Sequence, residues 1–254
     1  TLNVGYVVDG TVQRSGTRVK ITANLNTARD GFRVWSETYT RELEDIFAVQ
    51  EEIAAVIAQN LQLKLGATSR ARKTVNPAAH ALVLEGRHHW NLRTDAAFAR
   101  AHDAYTKALT LDPLFAEAMA GLADNWASRG WYKLLAGEAL ADDEFATAKQ
   151  LIRRAQELDP AMAEPYATMG AVLYNEGKFA ESEEQFQKAI RLNPNYAWAH
   201  HWRSHLLITR GRPEASLESF ERALALDPLS VISLVIYSTH LYEMRRYAEA
   251  LEMV

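Results

Sequence analysis

The sequence contains no cysteine. That excludes disulfide stapling, thiolate catalysis, cysteine-ligated zinc and iron–sulfur clusters. It fits a reducing compartment, so the expected location is the cytoplasm. Proline and glycine are scarce, 7 and 12 in 254 residues, which favours helix over collagen-like or disordered classes. No apolar run approaches the roughly 20 residues that cross a bilayer; Val231 to Tyr237 is the longest and carries Ser233. The start, Thr1-Leu-Asn-Val4, has neither the basic nor the apolar part of a signal peptide. It also lacks a Met, so a fragment of a longer chain is expected. There is no large excess of either charge: 28 basic and 32 acidic side chains give a net −4, which advertises neither nucleic acid nor an anionic membrane. Phosphate-loop, dinucleotide-fingerprint and nucleophile-elbow motifs are all missing. Glu181, Glu183 and Glu184 form a carboxylate run, but it falls early in a predicted helix, where acids suit the dipole. The expectation is a chain with no catalytic residue, cofactor or metal centre.

What is present begins with strands. In Arg18-Val-Lys-Ile-Thr-Ala-Asn-Leu25, the residues Val19, Ile21, Ala23 and Leu25 share one face and Arg18, Lys20, Thr22 and Asn24 the other. Period 2 over that length predicts a half-buried strand. Val4 to Gln13 precedes it across the Gly-containing turn Arg14-Ser-Gly-Thr17, and Phe32 to Tyr39 follows the turn Arg29-Asp-Gly31. A helix comes next. Asp45 is its expected N-cap and Glu51 and Glu52 complement its dipole; Ile46, Val49, Ile53, Val56 or Ile57, and Leu61 form its apolar stripe, and Gly66 ends it. The predicted unit, residues 1–65, is β-β-β-α.

Tyr6-Val-Val-Asp-Gly-Thr-Val-Gln-Arg-Ser-Gly16, Arg18 to Leu25, Trp35-Ser-Glu-Thr-Tyr39 and Asp45-Ile-Phe-Ala-Val-Gln50 resemble the latter part of a TolB-amino-terminal-like domain, over about residues 1–63. The resemblance implies a bacterial signalling protein in which such a domain joins a repeat array to an output domain. That output is typically a class III adenylate or guanylate cyclase, a winged-helix transcription regulator or a serine/threonine kinase. The family's earlier strands and helix are not in this sequence.

Residues 66–77 are expected to be a linker. Lys64, Arg70, Arg72 and Lys73 are uninterrupted by any acid here, read either as an anionic contact or as a solvated hinge. Asn76-Pro77 disfavours helix at 76 and marks a fresh start. Residues 1–77 hold 10 basic and 8 acidic side chains, and residues 78–254 hold 18 and 24. The second part is therefore mildly acidic and favours basic partners.

From Ala78 the sequence repeats. Ala108-Leu-Thr-Leu-Asp-Pro113, Ala155-Gln-Glu-Leu-Asp-Pro160, Ala189-Ile-Arg-Leu-Asn-Pro194 and Ala223-Leu-Ala-Leu-Asp-Pro228 are one phrase, with prolines 47, 34 and 34 residues apart. Tyr105, Ile152, Phe186 and Phe220 take a large position in the phrase, and Ala101, Ala148, Ser182 and Ser216 a small one. Gly170 is placed to let two helices approach closely. The longer spacing puts an insertion near Gly130 to Phe145, predicted as a tucked or short helical loop, and a fifth repeat starts near Val231. A 34-residue period with this ending is similar to the tetratricopeptide repeat. The expected fold class is therefore α+β: a small β-β-β-α unit, then an all-α solenoid over 78–254, mostly α overall, with four repeats and a truncated fifth.

That resemblance implies a concave groove lined by the first helix of each repeat. It places Trp90 and Arg93 there from repeat one, Glu117, Asp124 and Ser128 from repeat two, and Glu164, Ala167, Ala171, Tyr174 and Asn175 from repeat three. Repeat four gives Trp198, His201, His205, Ile208 and Thr209, and repeat five Ile232, Val235, Thr239, Tyr242 and Glu243. The partner-binding candidates are Trp90, Tyr174, Asn175, Trp198, His201, His205 and Tyr242. The family's clamp for a chain-terminal carboxylate needs Lys and Asn at positions that here hold Ala, His, Val or Thr. An apolar or amphipathic peptide fits this groove better. His201 and His205, one turn apart, invite a metal reading, but no acid lies in Asn193 to Arg212 to complete a site. The expected function is a non-enzymatic protein-interaction and regulatory fragment of a larger bacterial signalling protein. It is expected to bind neither nucleic acid nor membrane. The alternative is a homodimerisation scaffold pairing absent output domains, suggested by the β-rich edge at Val4 to Val12.

Overall fold

The computed structural model describes residues 6–28, 31, 33–42, 46–60, 76–138 and 142–252. The chain divides into two compact units, Thr1–Pro77 and Ala78–Val254. Asp45, Phe32, Leu61, Gly66 and the basic run from Lys64 to Lys73 lie outside the described residues.

In the first unit, β1 (Tyr6–Ser15), β2 (Arg18–Thr27) and β3 (Arg33–Glu42) form an antiparallel sheet in the order β1-β2-β3. Gly16 takes a positive φ of 60° in the two-residue turn between β1 and β2. On β2 the period-2 face turns inward: Val19, Ala23 and Leu25 are buried, while Arg18 and Lys20 are exposed. Tyr39 faces Ile21 across the ladder and is buried with them. Helix α1 (Ile46–Asn60) packs on this sheet, with Val49 buried and Ile53, Val56 and Ile57 half-buried.

The second unit is a run of helical hairpins. Its elements are α2 (Pro77–Asn91), α3 (Asp95–Leu111), α4 (Ala116–Leu135), α5 (Asp142–Leu158), α6 (Glu164–Asn175), α7 (Phe179–Leu192), α8 (Ala197–Thr209), α9 (Pro213–Leu226), α10 (Val231–Glu243) and α11 (Tyr247–Glu252). The repeated phrase ends the second helix of each pair. Proline excludes helical geometry from the residue before it, and Asp112 and Asn193 are extended. Their side chains, like that of Asp159, then accept the backbone N–H two residues on, at 3.0–3.1 Å. The insertion in the second pair is largely not a loop. It lengthens α4 to 20 residues and carries Trp131 and Tyr132 as helix, because nothing breaks the helix before Gly137, which has φ 73°.

Burial follows the phrase. Tyr105, Ile152, Phe186 and Phe220 are fully buried, as are Ala101, Ala148, Ser182 and Ser216. Two of these rings, Tyr105 and Phe186, fill gaps left by glycine on the facing helix. A Cβ on Gly170 would lie 2.6 Å from the Phe186 ring, and one on Gly121 would lie 2.4 Å from Tyr105. Ser182 and Ser216 donate to the carbonyls of Gly170 and Ser204, both at 2.8 Å. No helix among the described residues is long and apolar enough to cross a membrane.

Gly121→Ala tests this packing. Alanine gains up to about 1 kcal/mol of helix propensity, but the clash with the Tyr105 ring, packed against Gly86 as well, costs about 1–3 kcal/mol. The expected result is a lower urea midpoint at unchanged m-value; an unchanged or raised midpoint would contradict the close-approach role.

Candidate functional site

The first helices of the hairpins, α2, α4, α6, α8 and α10, face a common space, and the aromatic side chains expected along it meet one another. Trp90 and Trp198 make an edge-on contact with ring centroids 5.5 Å apart, joining the first pair of helices to the fourth. Trp131 makes the same contact with Trp202 at 5.5 Å. Trp90 also donates its indole N–H to Ser128 Oγ at 3.1 Å. Between these rings the free space is only about 20 Å³.

A much larger cavity, about 740 Å³, opens beside them, within the size range of ligand sites. Arg87, Trp90 and Arg93 line it from α2 and the turn after it; Glu117, Gly121 and Asp124 come from α4, and Glu164 from α6. Tyr196 and Trp198 face it at the start of α8, and Val231, Ile232, Ser233 and Val235 come from α10. Val235 is 53% exposed.

Charge in this cavity is costly. The Arg93 guanidinium carbon lies 3.5 Å from the centroid of Trp90 and 4.7 Å from that of Trp198. Burial lowers its pKa to about 10, opposed by nearby groups including Asp124. Burial likewise raises Asp124 to about 6, against a hydrogen bond from Thr168 Oγ1 and the pull of Arg93. Tyr105 and Tyr196 are pushed upward, again chiefly by burial.

The histidines lie deeper. His201, expected on the groove wall, is 2% exposed. Its ring is 4.3 Å from that of Trp198, and its Nδ1 is 2.9 Å from Ser233 Oγ. His205 stands 5.2 Å from His201 and 5.1 Å from His240, and all three rings pack on Phe220. His240 Nδ1 is within 3.3 Å of Ser216 Oγ. Among the described residues no set of three His, Cys, Asp or Glu side chains is arranged to hold a metal ion. Burial holds His201 well below its usual pKa, His205 at about 3 and His240 at about 4. The trio thus packs as neutral rings around Phe220, and His201 alone of the three touches Trp198.

The other candidates separate. Tyr174 reaches Thr209 at 3.0 Å and leans on Trp202 and His205. Asn175 turns back to the carbonyl of Ala171 at 2.8 Å. Tyr242 is 65% exposed and packs on Tyr247, outside the lining of the large cavity. Sequence reading did not join His240 to His201 and His205, nor Tyr105, Tyr132 and Tyr196 to the cavity. His240 follows His205 by 35 residues, one off the 34-residue register in which Thr239 matches His205, so repeat spacing gives no signal that joins them.

Comparisons with known proteins agree with this architecture. Models of the tetratricopeptide repeat match residues 163–196, 185–218 and 203–253. These residues carry such repeats. Over 126 residues the chain is 34% identical to a protein of Rhizobium meliloti (strain 1021) with the name "Putative adenylate cyclase 3". The match covers 48% of this chain and spans 22% of that protein. A thermophilic TPR protein of Thermus thermophilus superposes with TM-score 0.52 at 16% identity, covering 78% of this chain and 94% of that one. A chain of the APC/C hetero-tetramer Cut9-Hcn1 gives TM-score 0.53 at 16% identity, covering 69% of this chain and 32% of that one. At such identities these two likenesses concern the fold alone.

The histidine trio predicts acid sensitivity. An unfolded histidine binds a proton below pH about 6.5, while the folded trio resists protonation down to about 4 or lower. The unfolded state then binds more protons, so stability falls as pH drops from about 6.5 towards 4.5. Asp124 opposes this, since its raised pKa favours the folded state in acid. The expected outcome is that His205→Gln and His240→Gln flatten the dependence of the urea midpoint on pH in this window; an unchanged slope would contradict neutral burial.

Proposed function

We propose that this chain is a non-enzymatic protein-interaction module, and that a peptide segment of a partner, or of the same polypeptide, lies in the cavity on the face made by the first helices. The observation that carries this reading is that cavity of about 740 Å³, walled by Trp90, Trp198 and Tyr196 and by half-exposed apolar residues of α10. Rigid aromatic anchors beside an accessible apolar wall are how interfaces concentrate binding energy. Trp90 and Trp198 are the anchors, with His201 and His205 as their support. Tyr174, Asn175 and Tyr242 lie outside the lining of this cavity and belong to the reading as a continuation of the segment's path along the first helices.

In this reading the module is regulatory and sits in a longer bacterial signalling protein. The partial likeness to a protein with an adenylate cyclase name supports a cyclase as the output domain. The TolB-like β-β-β-α unit would be its connection to the array, and the cytoplasm its location. A second reading, a homodimerising scaffold, draws on β1. This edge strand leaves Tyr6, Val7, Val8 and Val12 exposed, Val12 by 68%, and such an edge invites pairing. Light scattering over a concentration series tests it: a monomer throughout removes it for this chain.

The first reading is tested by panning a random peptide display library on the full chain and on Val235→Glu. Val235 is exposed enough to accept a charge without unfolding the helix. The expected result is peptides enriched on the unaltered chain and lost on V235E at equal thermal stability. Peptides retained equally by both would remove the cavity from the account.

A further inference from the structure

We infer that the cavity selects a mixed-charge peptide segment, seating a side-chain carboxylate on Arg93 and directing a cationic side chain to Asp124. The inference rests on the interaction reading above and names the chemistry of the segment.

The first observation is backbone strain. After α4, α6 and α8 the residue in left-handed conformation is Gly137, Gly177 or Gly211, with φ between 68° and 75°. Glycine adopts that geometry freely. After α2 the same place is held by Arg93 at φ 55°. A long side chain kept where glycine is cheaper points to a role for that side chain. Arg245 shares the geometry after α10 but is exposed, whereas Arg93 is drawn over two indole rings.

The second observation concerns partners. A guanidinium offers five N–H donors. Those of Arg93 meet no acceptor among the described residues; the side chain is held by Trp90 and Trp198 alone. Among the described residues, the Asp124 side chain accepts a hydrogen bond from Thr168 alone. The two opposite charges feel each other, yet no ion pair joins them. Each is set in one wall of the same cavity. Both side chains are partly buried; a partly desolvated charge without an ion-pair partner gains from a ligand that supplies one. Guanidinium and carboxylate match as a two-pronged pair, and the indoles hold the guanidinium plane in place before the ligand arrives. Glu117, Glu164 and Asp227 also line the cavity on its acidic side, and Arg87 joins Arg93 on its basic side. A segment of only acidic residues would be repelled there, and one of only basic residues would leave Arg93 unmet. Mixed charge complements both walls.

The test uses short peptides capped at both ends on one Ala/Leu frame. One pool carries Glu and Lys at varied spacing; the others carry Glu only, Lys only or Gln only. Affinity for the full chain is read by fluorescence anisotropy. Since hydrogen bonds to a charged group are among the stronger ones, the mixed pool is expected to bind at least about tenfold tighter than any other. Arg93→Gly should keep the fold, because glycine suits the backbone there, and should bring the mixed pool down to the Lys-only level. Asp124→Asn should bring it down to the Glu-only level. Equal binding of the Gln and mixed pools, or full binding by R93G, overturns the inference while leaving the groove reading intact. Tight binding only by peptides with an uncapped C-terminus overturns it in favour of a chain end. Failure of every pool overturns it, and failure of the panned library as well removes the groove reading with it.

Discussion

An aromatic ring pressed against a helix where a side chain is missing sets the spacing of this array. Tyr105 lies under both Gly86 and Gly121, Phe145 under Gly130, and Phe186 under Gly170. A Cβ at any of these glycines would fall within 2.7 Å of a ring carbon, so the helices approach closely only because it is absent. Tyr105 matters doubly, since one ring touches the first helices of two successive pairs. That double contact is how one hairpin, unable to cover its own apolar face, is tied to the next. The serines of the second helices, Ser182 and Ser216, fix the same approach by bonding to backbone on the first.

Close stacking brings the first helices to face one another, and the indoles exploit it. Trp90 reaches Trp198, and Trp131 reaches Trp202, so contact runs between helix pairs that are not neighbours in the chain. Part of the common face is thereby filled by the protein itself, and open space is concentrated beside Arg93 and Asp124. The buried histidines complete this arrangement. Kept neutral by burial, His201 is the polar spacer between Phe220 and Trp198, with His205 and His240 also packed on Phe220. In the proposed reading, recognition is confined to a short stretch where aromatic surface, the Arg93 guanidinium and the Asp124 carboxylate converge.

Much of the fold was legible in the sequence, because the features that specify it are local and repeated. The Asp-Pro or Asn-Pro endings, the large residue three places before Ala and the small one before that each recur in register; the large and small residues are buried, and Asp112, Asp159 and Asn193 cap the turn that follows them. The alternation in Arg18 to Leu25 likewise gave the correct buried face of β2. The insertion was less legible: a count of residues gives its length, but only an unbroken run of helix-compatible residues shows that it extends α4. The site was legible by face and not by depth. Repeat register brings Trp90, Trp198 and His201 to one side, but whether a side chain touches solvent depends on residues 100 or more positions away, as Trp198 does for Trp90. His201 was for this reason expected to meet a partner, and instead it lies beneath the ring that borders the cavity.

The central claim is that a bound segment engages the Trp90–Arg93–Trp198 corner of the cavity. The most direct measurement is a titration of the 15N-labelled full chain with a peptide selected by panning, followed through the indole N–H resonances. Six tryptophans report, and Trp35, on β3 of the sheet, serves as the internal reference. The account predicts that Trp90 and Trp198 shift progressively to saturation while Trp35 stays fixed. Saturation with Trp90 and Trp198 unmoved would place the binding surface elsewhere on the molecule and contradict the account.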